Sequence, residues 1–321
     1  MNATPRIWLL IDDRAGNAGQ CRGVGAALGM ACEEKPIRYS WAASLPNALL
    51  GASFCGLDAA SRASLVSPWP DLVIAAGRRT APVARRIKRL SGGAAKLVQI
   101  MDPGTAGAGD FDLIAVPTHD RTDNRPNTIP ITGAPHGMTR ERLDAAARQW
   151  RAAFEHLPEP RIALIVGGST RRRAFTASMA GELGAMASAM ARAAGGSLLI
   201  TTSRRTGPAA ASLLAAIDVP RYGFTWGKTG ENPYAGYLAL ADAIVVTGDS
   251  VSMCSEACAT EKPVYVFAPP PLITEKHARF LQSLYQGEYA RPFTGVYEMW
   301  SHPPLNAAAD IAAAIRSRLG F

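Results

Sequence analysis

The stretch LADAIVVTGDSVSMCSEACATEKPVYVFAPP, Leu240–Pro270, decides the fold. Ile244–Val246 is a continuous apolar, β-branched run of the kind that forms a strand buried on both faces of a parallel sheet. The chain turns polar at once through Thr247, Gly248, Asp249 and Ser250, and either Asp249 or Ser250 can cap the helix that follows. Lys262-Pro263 ends that helix ahead of a second strand, Val264–Phe267. A helix N-terminus just past the carboxyl end of a parallel strand presents N–H groups and a partial positive charge suited to phosphate. On the helix, Val251, Cys254 and Cys258 fall at i, i+3 and i+7 and face the sheet, while Ser252 and Glu256 share another face. Two readings stay open for Glu256: an acceptor for a sugar diol, or a solvated surface carboxylate.

The segment TGDSVSMCSEA, 247–257, followed by KPVYVF, 262–267, resembles the bacterial relatives of the plant mitochondrial-fission "elongated mitochondria" family. That family is in turn similar to the two-domain glycosyltransferases of the GT-B fold, and the resemblance runs over nearly the whole chain. It implies an α/β protein of two Rossmann-like domains facing across a cleft, with a nucleotide-sugar as substrate and no cofactor. By the same resemblance Glu256 holds the ribose, with Asp249, Ser250 and Ser252 beside it. Two further stretches carry the likeness. Residues 12–20, DDRAGNAGQ, follow the family pattern Asp-Gly-Lys-x-Gly-x-x-x-Gln, with Gly16 and Gln20 matching and with Asp13 and Arg14 replacing the Gly and Lys. Residues 230–234, GENPY, match Gly-x-Asn-Pro-Tyr, a loop implied to lie over the nucleotide through Asn232.

Composition agrees with a packed globular protein long enough for two domains. A chain of 321 residues with 48% hydrophobic and 19% charged side chains can bury two ordinary cores. The net charge of +8 suits a protein that meets anions. No aromatic-interleaved basic stripe or helix-turn-helix pattern supports nucleic acid as the partner. The five cysteines have no metal-ligand spacing, and no metal site is expected. Without a signal peptide or a membrane-length apolar run, the expected location is the cytoplasm. For a lipid-linked acceptor, the resemblance adds peripheral contact at the inner membrane face.

Polar loops recur at predicted strand ends, which is where an open α/β sheet builds its site. Arg6–Ile11 leads into Asp12 and Asp13, and a helix then runs to about Leu28. Its Gly23, Gly25 and Gly29 are wrongly spaced for a dinucleotide fingerprint. Leu72–Ala76 ends in Gly77-Arg78-Arg79-Thr80-Ala81-Pro82, Lys96–Met101 in Asp102, and Leu113–Val116 in His119-Asp120. Residues 40–70 are either core or an acceptor and membrane face presented by Trp41, Leu45, Leu49, Leu50 and Phe54; core is the better reading. A helix from Thr139 to Leu157 closes at Leu-Pro-Glu-Pro, the expected domain boundary. Past it, Ile162–Val166 opens into Gly167-Gly168-Ser169-Thr170-Arg171-Arg172-Arg173, backbone amides and arginines of the sort a diphosphate needs. Ser197–Thr201 is followed by Ser203-Arg204-Arg205-Thr206-Gly207-Pro208, an echo of residues 77–82 that hints at two similarly built halves. Gly227-Lys228-Thr229 lacks the spacing of a phosphate-binding P-loop.

The expectation is therefore an N-terminal acceptor domain, 1–157, a nucleotide-sugar domain, 161–303, and a closing helix, 304–321, that returns to the first domain. Donor contacts are expected from Gly167, Gly168, Ser169, Arg171, Ser203, Arg204, Arg205, Asn232, Asp249, Ser250, Ser252 and Glu256, with Gly16, Gln20, Gly77, Arg78 and Asp102 on the other side. Asp12, Asp13, His119 and Asp120 are the candidate bases. A glycosyltransferase that needs no metal is the leading reading; an epimerase of nucleotide-sugars on the same fold and a non-catalytic adaptor for membrane fission are its rivals.

Overall fold

A computed structural model describes residues 4–120 and 125–321. Chain contacts divide it into two compact units, residues 1–137 with 306–321, and residues 138–305.

Unit 1 is built on strands β1 (Ile7–Ile11), β2 (Cys32–Pro36), β3 (Leu72–Ala76), β4 (Lys96–Ile100), β5 (Leu113–Pro117) and β6 (Thr128–Ile131), with helices α1 (Ala15–Leu28), α2 (Asn47–Leu50), α3 (Ala59–Ser64) and α4 (Ala81–Leu90). All its strand pairs are parallel, in the order β2-β1-β3-β4-β5-β6. Strand period sorts β1 between two cores: Ile7, Leu9 and Ile11 join one hydrophobic cluster, Trp8 and Leu10 the other.

Unit 2 begins with helix α5 (Arg140–Phe154) and continues β7 (Arg161–Val166), α6 (Ala177–Ala193), β8 (Ser197–Thr202), α7 (Ala209–Ala215), β9 (Arg221–Phe224), α8 (Tyr234–Leu240), β10 (Ala243–Thr247), α9 (Val251–Ala257), β11 (Val264–Phe267), α10 (Glu275–Gln286) and β12 (Arg291–Pro292). Its parallel sheet runs β12-β11-β10-β7-β8-β9. This is the doubly wound order with a switch point between β7 and β10; in unit 1 the winding reverses between β1 and β3. The final helix, α11 (Ala307–Leu319), places Ala308, Ile311 and Ile315 in the same cluster as Ile7 and Leu9.

Three expectations change. The division falls at Gly137/Met138, because α5 belongs to unit 2: Phe154 packs on Tyr222 and Tyr237 at ring-centroid distances of 5.0 and 5.4 Å. A Cβ on Gly236 would meet Trp150 at 2.6 Å, so α5 and α8 approach closely. Leu-Pro-Glu-Pro ends a helix there, not a domain. Second, the two halves are similarly built, each on a six-stranded parallel sheet as the echoing hexamers hint, but their strand orders differ. Third, residues 40–70 are not simply core. Leu50 is buried, but Trp41 is 82% and Leu49 75% exposed.

That exposure is held in place from beneath. Arg78 donates to the carbonyls of Ala43 and Leu45, at 2.9 and 2.7 Å, and to Asn47 Oδ1. Asn47 Nδ2 in turn donates to Arg78 O and Pro103 O. No helix among the described residues is long and apolar enough to cross a membrane.

Candidate functional site

In unit 2 the switch point brings together the loops after β7, β8 and β10. Gly167 N–H donates to Thr247 Oγ1 at 2.7 Å, Gly168 N–H to Asp249 Oδ2 at 2.9 Å, and Ser169 N–H to Arg205 O at 2.9 Å. Arg205 Nη1 reaches Gly168 O at 3.0 Å and Asp249 Oδ2 at 2.5 Å. Ser203 Oγ donates to Gly167 O and accepts from Arg205 N–H. Gly168 sits at φ +140°, where a Cβ would lie 2.3 Å from the Arg205 backbone, so only glycine fits.

This geometry corrects the expected roles. The loop amides of Gly167, Gly168 and Ser169 already have partners inside the protein and do not face outward as a diphosphate cradle. Asp249, 3% exposed, and Ser203 are framework: they tie three strand ends together. Helix α9 spans only 7 residues, and Ser250 caps it by accepting from Met253 N–H at 3.4 Å. Around this framework Arg171, Arg172, Arg173 and Arg204 are exposed, and Ser250 and Ser252 are half-buried.

Glu256 is not a solvated surface residue. It is half-buried and accepts the Tyr234 hydroxyl proton at 2.6 Å. Burial pushes its carboxyl above the usual range, against the opposing pull of Tyr234 and of the Arg142 charge. Burial, reinforced by Glu256, also raises the Tyr234 phenol well above its ordinary value. Tyr234 begins α8, and Asn232 Oδ1 caps its N–H at 3.1 Å, which gives the Asn-Pro-Tyr sequence a local structural purpose.

In unit 1 the reversal of winding between β1 and β3 gathers a second cluster. Asp12, 4% exposed, accepts from Arg14 N–H (2.8 Å), Asn17 Nδ2 (3.0 Å) and Arg79 Nη2 (2.9 Å). Arg79 also pairs with Asp13 and lies over the Tyr39 ring at 4.1 Å. Burial pushes Asp12 up, whereas contacts with Asp12 and then Arg79 hold the more exposed Asp13 below the usual carboxylate range. Gly77 (φ +82°) closes on Asn17, with its Cβ position 2.6 Å from Nδ2. Gly16 is exposed in the first turn of α1 and Gln20 is buried one turn on. Asp102 is held by Arg125 at 3.1 Å and by Gly104 N–H.

His119, buried, and Asp120 follow β5, three strands from β1 in the sheet order. At strand spacing that is about 14 Å. Asp12 and Asp13 therefore do not share one constellation with His119 and Asp120. Sequence reasoning missed Asn17, Tyr39, Arg79, Thr247 and Tyr234. The hexamer echo held one usable signal: its second arginine, Arg79 or Arg205, pairs in each unit with a buried aspartate, Asp12 or Asp249.

Two doubly wound parallel sheets, each with a polar cluster at its switch point, define a GT-B-like fold. The structure of MurG from Acinetobacter baumannii matches with a TM-score of 0.52 at 14% identity over 98% of this chain and 100% of that one. UDP-GlcNAc 2-epimerase from Neisseria meningitidis, solved bound to UDP-GlcNAc, matches at 0.54 and 12% identity over 98% and 99%. At such identities the likeness is one of fold. The chain belongs to the family described as Mitochondrial fission ELM1, whose profile matches residues 15–319. It is 33% identical over 300 residues to Mitochondrial fission protein ELM1 of Arabidopsis thaliana, covering 84% of this chain and 69% of that protein. To Uncharacterized protein RP120 of Rickettsia prowazekii (strain Madrid E) it is 30% identical over 351 residues, covering 98% of each.

Proposed function

We propose that the protein is a GT-B-type glycosyltransferase that takes a sugar from a nucleotide-sugar and passes it to an envelope glycan or lipid-linked acceptor. The observation that carries this reading is Glu256: a half-buried carboxylate beside the switch point of a Rossmann sheet, one oxygen held by Tyr234. A carboxylate so placed has an oxygen to offer a vicinal diol. The exposed guanidinium groups of Arg204 and Arg171 are the groups to meet the diphosphate and the charge of the leaving nucleotide, so the reading calls for no metal. Asp13, the ionised and accessible member of its cluster, is the first choice for the acceptor's base, with Asp12, His119 and Asp120 behind it.

The exposed face of Trp41 and Leu49 supports a peripheral encounter with the membrane that carries such an acceptor. The test is to incubate the purified protein with a panel of nucleotide-sugars, with and without acceptor lipid, and to measure binding by calorimetry and products by chromatography. Transfer only with acceptor supports the proposal. Conversion of donor alone favours an epimerase, a reading that the likeness of fold to UDP-GlcNAc 2-epimerase keeps alive. Binding without turnover favours the adaptor.

A further inference from the structure

Residues 225–233 join β9, at the outer edge of the second sheet, to α8, whose first residue Tyr234 meets Glu256 on the helix after β10. Because the sheet runs β10-β7-β8-β9, this connection starts at the carboxyl end of the β8–β9 side and ends beside the helix that follows β10. Trp226 lies near its start. The backbone N–H of Trp226 donates to Thr202 Oγ1, the last residue of β8, at 2.9 Å. Trp226 as a whole is nevertheless 65% exposed.

The neighbouring cation does not compete for that space. Lys228 Nζ is turned back onto Gly223 O at 3.1 Å and over the Tyr222 and Phe224 rings at 5.8 and 6.0 Å. What the connection presents at its β8 end is therefore a large planar apolar surface on an anchored backbone, at the same carboxyl end of the sheet as Arg204 and the helix that carries Glu256.

We propose that the Trp226 indole is the platform on which the base of the bound nucleotide stacks. This rests on the nucleotide-sugar reading above and adds to it the residue that engages the base. An indole has a face to offer any heteroaromatic ring, and a side chain with two rotatable angles loses little freedom when covered. Stacking of this kind does not distinguish bases by hydrogen bonds. Removing it should weaken different nucleotides alike and leave the phosphate end untouched.

The experiment measures dissociation constants of UDP, ADP and inorganic pyrophosphate for the intact protein and for Trp226→Ala and Trp226→Phe, with melting temperatures as the check on folding. The expected result is a loss of about 5- to 150-fold for both UDP and ADP in Trp226→Ala, the range for one stacked base. Trp226→Phe should recover most of it, and pyrophosphate affinity should stay the same throughout. If Trp226→Ala binds UDP and ADP as the wild type does, or loses pyrophosphate equally, the platform is overturned and the nucleotide reading stands. If the wild type binds UDP and ADP no better than pyrophosphate, both are overturned.

Discussion

Replacing Glu256 with Gln separates a binding carboxylate from a structural one, because the two roles move stability and affinity in opposite directions. The side chain is half-buried, and burial is the largest influence on its carboxyl, raising it despite Tyr234 and Arg142. A carboxyl raised in the folded state contributes stability that is fully present below its unfolded value and is lost as pH rises through the folded value. Glutamine keeps the shape and an acceptor for the Tyr234 hydroxyl without a charge to desolvate. The melting temperature of Glu256→Gln relative to wild type should therefore become more favourable from pH 4 to pH 8. Affinity should fall, since a hydrogen bond to a charged acceptor contributes about 1.5–3 kcal/mol, or roughly 10- to 150-fold in Kd. Scanning calorimetry at the two pH values and titration with a nucleotide-sugar give the two readings. Unchanged affinity together with reduced stability at pH 8 would refute the reasoning and return Glu256 to the framework.

Arg79→Met strands the Asp12 carboxylate, whose side chain is 1% exposed, and should cost about 3–5 kcal/mol in denaturant unfolding, with Asp12→Asn partly restoring it in the double variant. Gly168→Ala, at φ +140° with no room for a Cβ, should abolish cooperative melting of unit 2 or lower it by many degrees. Gly181→Ala, within α6 and with nothing within 4 Å of the added carbon, should instead stabilise by about 0.5–1 kcal/mol. Trp41→Ala with Leu49→Ala should leave the melting temperature within a degree or two while reducing co-sedimentation with anionic vesicles; vesicle binding equal to wild type would remove this face from the membrane reading.

The parallel strands that pack both faces were legible because their apolar runs have no competing pattern: Ile7–Ile11, Leu72–Ala76, Arg161–Val166 and Ala243–Thr247 lie where the sequence puts them, within a residue. The edge strands were not. Cys32–Pro36 reads CEEKP and Arg221–Phe224 reads RYGF, half-exposed segments whose charges and glycine carry no strand signal. The loops rich in Gly and Arg were visible, but which amides they left open was not. That depends on Thr247 and Asp249 arriving about eighty positions later in the chain to accept from Gly167 and Gly168. Glu256 stood out by its place on the helix after β10, while its Tyr234 partner, twenty-two positions earlier, was hidden for the same reason. Helix periodicity gave α5 its length and cap but not its allegiance, since the face bearing Trp150 and Phe154 would suit either core.

Helix α11 has a consequence for the order in which the protein can be made. Ile311 and Ile315 complete the cluster that includes Ile7 and Leu9, so one face of the first sheet has its full cover only when the last helix has emerged from the ribosome. Residues 138–305 form a continuous unit and can close earlier. At ordinary rates of translation, their synthesis leaves that face of the nascent chain open for roughly ten to thirty seconds. During that interval an apolar surface of parallel strands is available to a chaperone, or to another unfinished copy.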